Sequence, residues 1–213
     1  MVRHMNSFQL SQLERNDLFR GLKSLDIPGL CKCLGIQVLE YDKDQTVISE
    51  GEAVKRFGIV SEGVAKSVET DTVIGEGEYI SLLHTGEDSP ETIIAIERLT
   101  VLFIQFDRLT NQCRKNCINH SKVLHNFIRC VCEKAIQSER RTSYLLIPSV
   151  GKRIMTYLKQ LDSYNELGEI VVPFDRVNMA RYLNIERSSL SRELSRLKRG
   201  CFIDFEGNKF KIL

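Results

Sequence analysis

No stretch of this chain approaches the roughly 18 to 20 consecutive apolar residues that a helix needs to cross a bilayer, which argues against a membrane span. Its first ten residues, Met1–Leu10, lack the apolar segment of a secretory signal, so the expected compartment is the cytoplasm. Cysteine is present but lacks pattern. Cys31, Cys33, Cys113, Cys117, Cys130, Cys132 and Cys201 make an odd count without the spacing of a disulfide scaffold, and without export they read as thiols or metal ligands. An excess of one charge is missing too: a net +2 by itself names no partner. Catalytic groupings are absent. No nucleophile stands with a base, and His84 is the single histidine of the β-rich region, so the residues point away from an enzyme.

What remains is the composition of a soluble globular protein, 42% hydrophobic and 27% charged over 213 residues, enough for one large domain or two small ones. The charge is unevenly placed. From Ser149 onward twelve Lys/Arg face eight Asp/Glu, while the preceding residues carry a small acidic excess. A basic C-terminal third is a modest footprint for a phosphate backbone.

Three textures follow one another. Leu10, Leu13, Leu18, Leu22 and Leu25, then Leu30 and Leu34 after Pro28, carry helical spacing. Between Ile36 and Phe106 the chain turns to short β-rich runs separated by Gly and acidic turns: Ile36–Tyr41, Thr46–Ser49, Phe57–Val60, Val64–Val68, Thr92–Ile96 and Val101–Phe106. Such a series predicts a sandwich or barrel. From Asn116 to Leu146 there is neither Gly nor Pro, and Cys117, Ser121, Leu124, Ile128, Val131 and Ala135 alternate steps of four and three. That is the period of a coiled-coil seam. Val123, Phe127 and Cys130 form a second stripe that suits the β-domain. Two apolar faces imply two partners, unless the helix is simply buried in a single domain. Pro148 cannot continue this helix.

The third texture opens with a helix over Val150–Leu161, a polar loop and a short strand at Ile170–Val172. Asp175 is an N-cap for a helix over Arg176–Leu183. Ala180 offers the small residue that two crossing helices need, and Asn184 tolerates the positive φ of a tight turn. Ile185, Leu190 and Leu194 fill the angle between the helices. This is a helix-turn-helix. On its second helix Arg187, Ser188, Ser191 and Arg192 face outward in the first turns, where a recognition helix meets base edges. Arginine forks onto guanine O6 and N7. Arg196, Lys198 and Arg199 lie further along, better placed for phosphates. Two β-runs flanking Glu206-Gly207-Asn208 form a hairpin signal. A hairpin directly after a helix-turn-helix makes a winged helix, with Lys209 as its backbone contact.

Taken together, these motifs resemble the CRP/FNR superfamily of bacterial regulators, named for the cyclic-AMP receptor protein and the fumarate-nitrate regulator. The stretch from Val172-Pro173-Phe174-Asp175-Arg176 through Arg187-Ser188-Ser189-Leu190-Ser191-Arg192-Glu193-Leu194-Ser195-Arg196 is similar to the DNA-binding motif of members from anaerobic Firmicutes. Glu50-Gly51-Glu52, Gly58-Ile59-Val60 and Gly63 resemble the turn glycines of the family's cyclic-nucleotide-binding-like β-roll. The resemblance implies an α+β fold. An N-terminal double-stranded β-helix (a jelly-roll-like β-roll) with its preceding helices would occupy residues 1–112. A long dimerisation helix would follow over 113–147, then a winged helix-turn-helix over 148–213. It further implies a homodimer through Leu124, Ile128, Val131 and Ala135, bound to a near-palindromic double-stranded operator and working with RNA polymerase. Arg187 and Arg192 fall where the family reads guanine, and Ser188 where many members carry a glutamate that reads cytosine.

The sensor half departs from the family. Members that bind cyclic AMP carry Gly-Glu followed by an Arg-Ser/Thr pair. Here Gly77-Glu78-Tyr79-Ile80-Ser81-Leu82-Leu83-His84 leads into Asp88-Ser89-Pro90-Glu91-Thr92. Leu82 stands at the ribose-binding glutamate, and no Arg lies between Ala65 and Glu97. A cyclic phosphate would lack its counter-charge, so the cofactor, if any, is unknown and is not expected to be cyclic AMP. Cys31 and Cys33 are too few for an iron–sulfur site and read as one buried and one exposed thiol. Cys113, Cys117 and His120, four and three apart, would share a helical face and could ligate a metal or sense redox state. The remaining alternative is a ligand-independent regulator with a vestigial β-roll.

Overall fold

In a computed structural model, residues 5–111, 117–162 and 169–213 are described. The chain forms two compact units, 1–134 and 135–213, the division falling within the long helix α4 (Ile118–Leu145). Among the described residues no helix is long and apolar enough to cross a membrane.

The first unit is an antiparallel β-roll with helices on one face. One sheet has the order β1-β8-β3-β6, with β1 at Gln37–Tyr41, β3 at Arg56–Glu62, β6 at Tyr79–Ile80 and β8 at Leu99–Gln105. The other has the order β2-β7-β4-β5, with β2 at Thr46–Ile48, β4 at Ala65–Ser67, β5 at Val73–Ile74 and β7 at Ile93–Ala95. Strand side chains point alternately to opposite faces, and β8 shows why it lies at the centre. Leu99, Val101 and Phe103 join Val60, Ala65, Ile80, Ile93 and Ala95 in a core contributed by both sheets. Leu102 and Ile104, on the other face, meet a second core with Phe57 and Ile59. A strand buried on both faces reads as a continuous apolar run. Gly63 follows β3 at φ +82, and a Cβ there would lie 2.1 Å from the Arg98 carbonyl oxygen, so only glycine fits this turn.

Helices α1 (Ser7–Arg15), α2 (Ile27–Leu34) and α3 (Phe106–Thr110) close the second core together with the Val123, Phe127 and Cys130 stripe of α4. This is the β-domain stripe that the spacing suggests. The first texture is less regular than its leucines imply. Asn16 accepts a hydrogen bond from the Leu18 N–H at 3.0 Å and ends α1, Gly21 turns the chain at φ +77, and Leu25 is 93% exposed. Pro28 sits at the start of α2, where its missing N–H costs nothing.

The second unit contains the end of α4, α5 (Val150–Asp162), β9 (Ile170–Val171), α6 (Arg176–Tyr182), α7 (Arg187–Arg199), β10 (Ile203–Glu206) and β11 (Lys209–Ile212). Its three-stranded sheet has the order β10-β11-β9, so the strand at Ile170 does complete the sheet of the hairpin. Gly207 turns the hairpin at φ +56, the conformation that a two-residue loop asks of glycine. One core joins Ile154, Leu158, Met179, Leu183, Leu190, Leu194, Ile203 and Phe210.

Candidate nucleic-acid interface

Helix α7 is amphipathic, and its two faces have separate tasks. Leu190, Leu194 and Leu197 are buried against the unit's core, each worth roughly 2 kcal/mol of apolar burial. That anchors the helix and leaves Arg187, Ser188, Ser191, Arg192, Ser195, Arg196, Lys198 and Arg199 exposed. The turn before it forms as its residues require. Asp175 caps α6 by accepting from the Asn178 N–H at 2.7 Å, Ala180 is 3% exposed, and Asn184 takes φ +49. Ile185 donates back to the Ala180 carbonyl at 2.9 Å.

Glu186, which sequence reasoning passed over, organises the start of α7. Its carboxylate accepts from the backbone N–H groups of Ser188 and Ser189, both at 2.9 Å, and from the hydroxyls of both serines. The Ser188 hydrogen bonds, side chain first, hold the Glu186 carboxyl down to about 2. Glutamate is not among the usual capping residues, so nothing local marks it.

The eight residues expected to meet DNA differ in how they are held. The guanidinium groups of Arg187 and Arg199 have no polar partner among the described residues. Arg192 donates to Ser189 Oγ at 3.0 Å. Ser191 donates to the Arg187 carbonyl at 3.1 Å. Arg196 donates twice to Glu193, at 2.7 and 3.0 Å, and the pairing lowers the glutamate's pKa and raises the arginine's. Lys198 pairs with Asp204 at 2.6 Å and donates to the Phe205 carbonyl at 3.2 Å, tying α7 to the β10–β11 hairpin. Lys209 pairs with Glu169 at 3.2 Å.

Two further arginines fix the frame. Arg176 lies 4.8 Å from the ring centroids of both Phe205 and Phe210 and donates to the Gly207 carbonyl at 2.9 Å. Its own pKa is lowered by burial. Arg153 donates to the carbonyls of Ile147, Leu183 and Asn184 at 2.8 to 3.1 Å, satisfying the otherwise orphaned end of α6 and its turn. Both are cations spent on backbone geometry, a use that composition cannot distinguish from phosphate binding.

In the β-roll, Leu82 is 5% exposed and belongs to the core that holds Phe57, Val123 and Phe127. Ser89, 2% exposed, donates to the Glu91 carbonyl at 2.7 Å, and Glu69 accepts from the Thr92 N–H at 2.7 Å. Glu91 in turn accepts from the Thr70 hydroxyl at 3.4 Å.

On α4, Leu124 and Val131 are half-buried against the first unit's core, Ile128 is 54% exposed and Ala135 is exposed. Cys113 lies outside the described residues. Cys117 is half-buried and His120 buried, and His120 faces Cys33 at 3.6 Å, a residue not expected in this cluster. Among the described residues no group of three His, Cys, Asp or Glu side chains could hold a metal ion. Cys31 is buried and Cys33 exposed, as their spacing implies.

Residues 38–116 match the cyclic nucleotide-binding domain family. No curated protein sequence is significantly similar to the chain. Its fold is similar to that of several solved structures. One is CprK complexed with OCPA, at 17% identity over 86% of this chain and 88% of that one, with a TM-score of 0.56. Another is the c-di-GMP responsive global regulator CLP of Xanthomonas campestris, at 15% identity over 85% and 95%, with a TM-score of 0.51. A third is the catabolite activator protein of Thermus thermophilus, at 16% identity over 93% and 94%, with a TM-score of 0.50. At these identities the likeness establishes the fold: an antiparallel β-roll, a long helix and a C-terminal helical unit.

Proposed function

We propose that this chain is a sequence-specific DNA-binding transcription regulator of the CRP/FNR type, acting as a cytoplasmic homodimer on a near-palindromic operator. The observation that carries the reading is the outward face of α7: Arg187, Ser188, Ser191 and Arg192 stand exposed in the first turns of a helix anchored by three buried leucines. A helix held in this way can enter a major groove and present arginine forks to guanine edges. Arg196, Lys198, Arg199 and Lys209 are the backbone contacts, and Leu124, Ile128, Val131 and Ala135 the dimer seam. The regulators named above lend support, and regulation of this kind works through RNA polymerase. No catalytic step is proposed.

The effector is not cyclic AMP. Leu82 in the core, the carboxylates of Glu69 and Glu91 around Thr70 and Thr92, and the lack of any arginine between Ala65 and Glu97 support this, because a cyclic phosphate would lack its counter-charge. A β-roll that works without any ligand is the reading that these residues favour second.

The test is selection of bound sequences from a randomised duplex library with the purified, unliganded protein. The expected result is a near-palindromic consensus with half-sites about one helical turn apart, unaffected by added cyclic AMP. Recovery of unenriched sequence both without ligand and with the small-molecule fraction of a cell extract would refute DNA recognition, and enrichment only with cyclic AMP would refute the effector reading.

A further inference from the structure

Cys33 lies near the end of α2, exposed, and faces the first turn of α4, where His120 is 5% exposed. The imidazole is held by its far side: Nε2 lies 2.9 Å from the Leu109 carbonyl oxygen. A carbonyl can only accept, so Nε2 carries the ring hydrogen and Nδ1 the lone pair. Nδ1 lies 3.6 Å from Cys33 Sγ. A thiol next to a fixed imidazole acceptor can hand over its proton and stand as the thiolate, the nucleophilic form. Residues 87 positions apart thus make an accessible thiol with a buried base behind it.

Four other described cysteines, Cys31, Cys130, Cys132 and Cys201, lack this combination. Burial pushes the Cys31 thiol up to about 12. Cys130 is buried beside the Tyr79 hydroxyl, and burial raises its pKa too. Cys132 and Cys201 are exposed, with no imidazole contact among the described residues.

We propose that Cys33 is a site of oxidative modification by hydrogen peroxide, with His120 as its proton acceptor. The thiolate sulfur attacks one peroxide oxygen, and the S–O bond forms as the O–O bond breaks. The leaving hydroxide takes the proton from His120 and departs as water. Sulfur is oxidised by two electrons to a sulfenic acid, and the peroxide is reduced to water. The pair lies within the first unit, so the reactivity stands whether or not α7 binds DNA.

The full-length protein is treated with limiting iodoacetamide, and peptide mass spectrometry reads the alkylation rate of each cysteine. A parallel sample receives low peroxide with dimedone as the sulfenic-acid trap. Cys33 is expected to alkylate about tenfold faster than Cys132 and Cys201, and to carry the dimedone adduct. His120→Asn should bring Cys33 down to their rate, and Cys33→Ser should abolish the adduct with an unchanged circular dichroism spectrum. If His120→Asn fails to fold, the wild-type ranking decides alone. Equal rates for the three exposed thiols would overturn the proposal. So would protection of Cys33 that a metal chelator relieves, which would make the pair metal ligands.

Discussion

The hydroxyl of Ser188 donates to the carboxylate of Glu186, two residues earlier, which also accepts the backbone N–H of Ser188 at 2.9 Å. A hydroxyl whose hydrogen is already committed presents only lone pairs outward. On the proposed reading, Ser188 would then select a base that offers an amino group in the major groove, cytosine N4 or adenine N6. The Glu186–Ser188 pair would thereby supply, through a relayed acceptor, what a glutamate at position 188 would supply directly. Ser188→Ala should flatten the preference at one base pair of each half-site, read by binding to a panel of single-substituted duplexes. Glu186→Gln should shift that preference toward bases that accept. An unchanged panel for both variants would rule the relay out.

The same contact sets an acid limit on the helix. Glu186 is held to about 2 in the folded chain, against an ordinary 4.5. A carboxyl whose folded pKa is depressed contributes stability above its unfolded value and loses it as pH falls toward the folded one. The first turn of α7 should thus stay capped at neutral pH and fray between about 4.5 and about 2. Carboxyl titration by NMR, with amide exchange at Ser188 and Ser189, follows this directly. Titration of Glu186 near 4.5 would contradict the cap.

Arg192 and Arg199 share a helix, yet their removal should read differently. Arg192 stands among the residues proposed to face bases, so Arg192→Ala should cost about 1 to 3 kcal/mol of discrimination per half-site. Sequence-specific shifts in a mobility assay would disappear while the dimer mass persists. Arg199, with no polar partner among the described residues, suits a phosphate. Arg199→Ala should weaken all sequences alike and reduce the salt slope by about one per protomer. Equal losses of specificity in both variants would defeat the division.

Much of this architecture was legible in the chain because its signals are local. Asp175, Ala180 and Asn184 announce a helix-turn-helix within ten positions, and Gly207 announces the hairpin. The gapless stretch after Asn116 reads as the long helix. The two-residue strands Val73–Ile74 and Tyr79–Ile80 escaped because two residues cannot show an alternation. Leu25 misled because a leucine at helical spacing says nothing about an intervening turn at Gly21. Arg153 and Arg176, bound to carbonyls and rings, are indistinguishable in sequence from DNA contacts. Cys33 and His120 meet only through the tertiary fold.

On the proposed reading, Glu193 competes with a DNA phosphate for Arg196, so that backbone contact is made against the pull of the carboxylate. Its carboxylate holds Arg196 by two hydrogen bonds, and it lies where a Cβ on Gly151 would come within 2.1 Å of Oε1, so the glycine of α5 makes room for it. Glu193→Gln keeps the shape and removes the charge. An exposed pair of this kind contributes at most about 1 kcal/mol, so the thermal midpoint should change little. Arg196, freed of that competition, should make its phosphate contact in full and steepen the salt dependence by up to about one per protomer. Non-specific affinity at low salt should rise several-fold, measured by fluorescence anisotropy on an arbitrary duplex. A fall in affinity would show that the pair positions Arg196 rather than restraining it.

On the proposed reading, Ile128 serves association and not folding. It is 54% exposed on α4, beside Phe127 at 8% and Val123 at 0%, so one helix carries a covered stripe and an uncovered one. A seam of Leu124, Ile128, Val131 and Ala135 would bury Ile128 against a second copy, worth roughly 2 kcal/mol per protomer. An aspartate there would have to be desolvated without a counter-charge, at a cost of several kcal/mol. Ile128→Asp should therefore sediment as a monomer while keeping the secondary structure of the wild type. Val123→Asp, by contrast, places the charge in the first unit's core and should unfold it. Because operator binding of the proposed kind needs two recognition helices, the Ile128→Asp monomer should also lose cooperative binding to the palindrome while a single half-site still binds weakly. A dimer that persists in Ile128→Asp would move the association surface elsewhere on the chain.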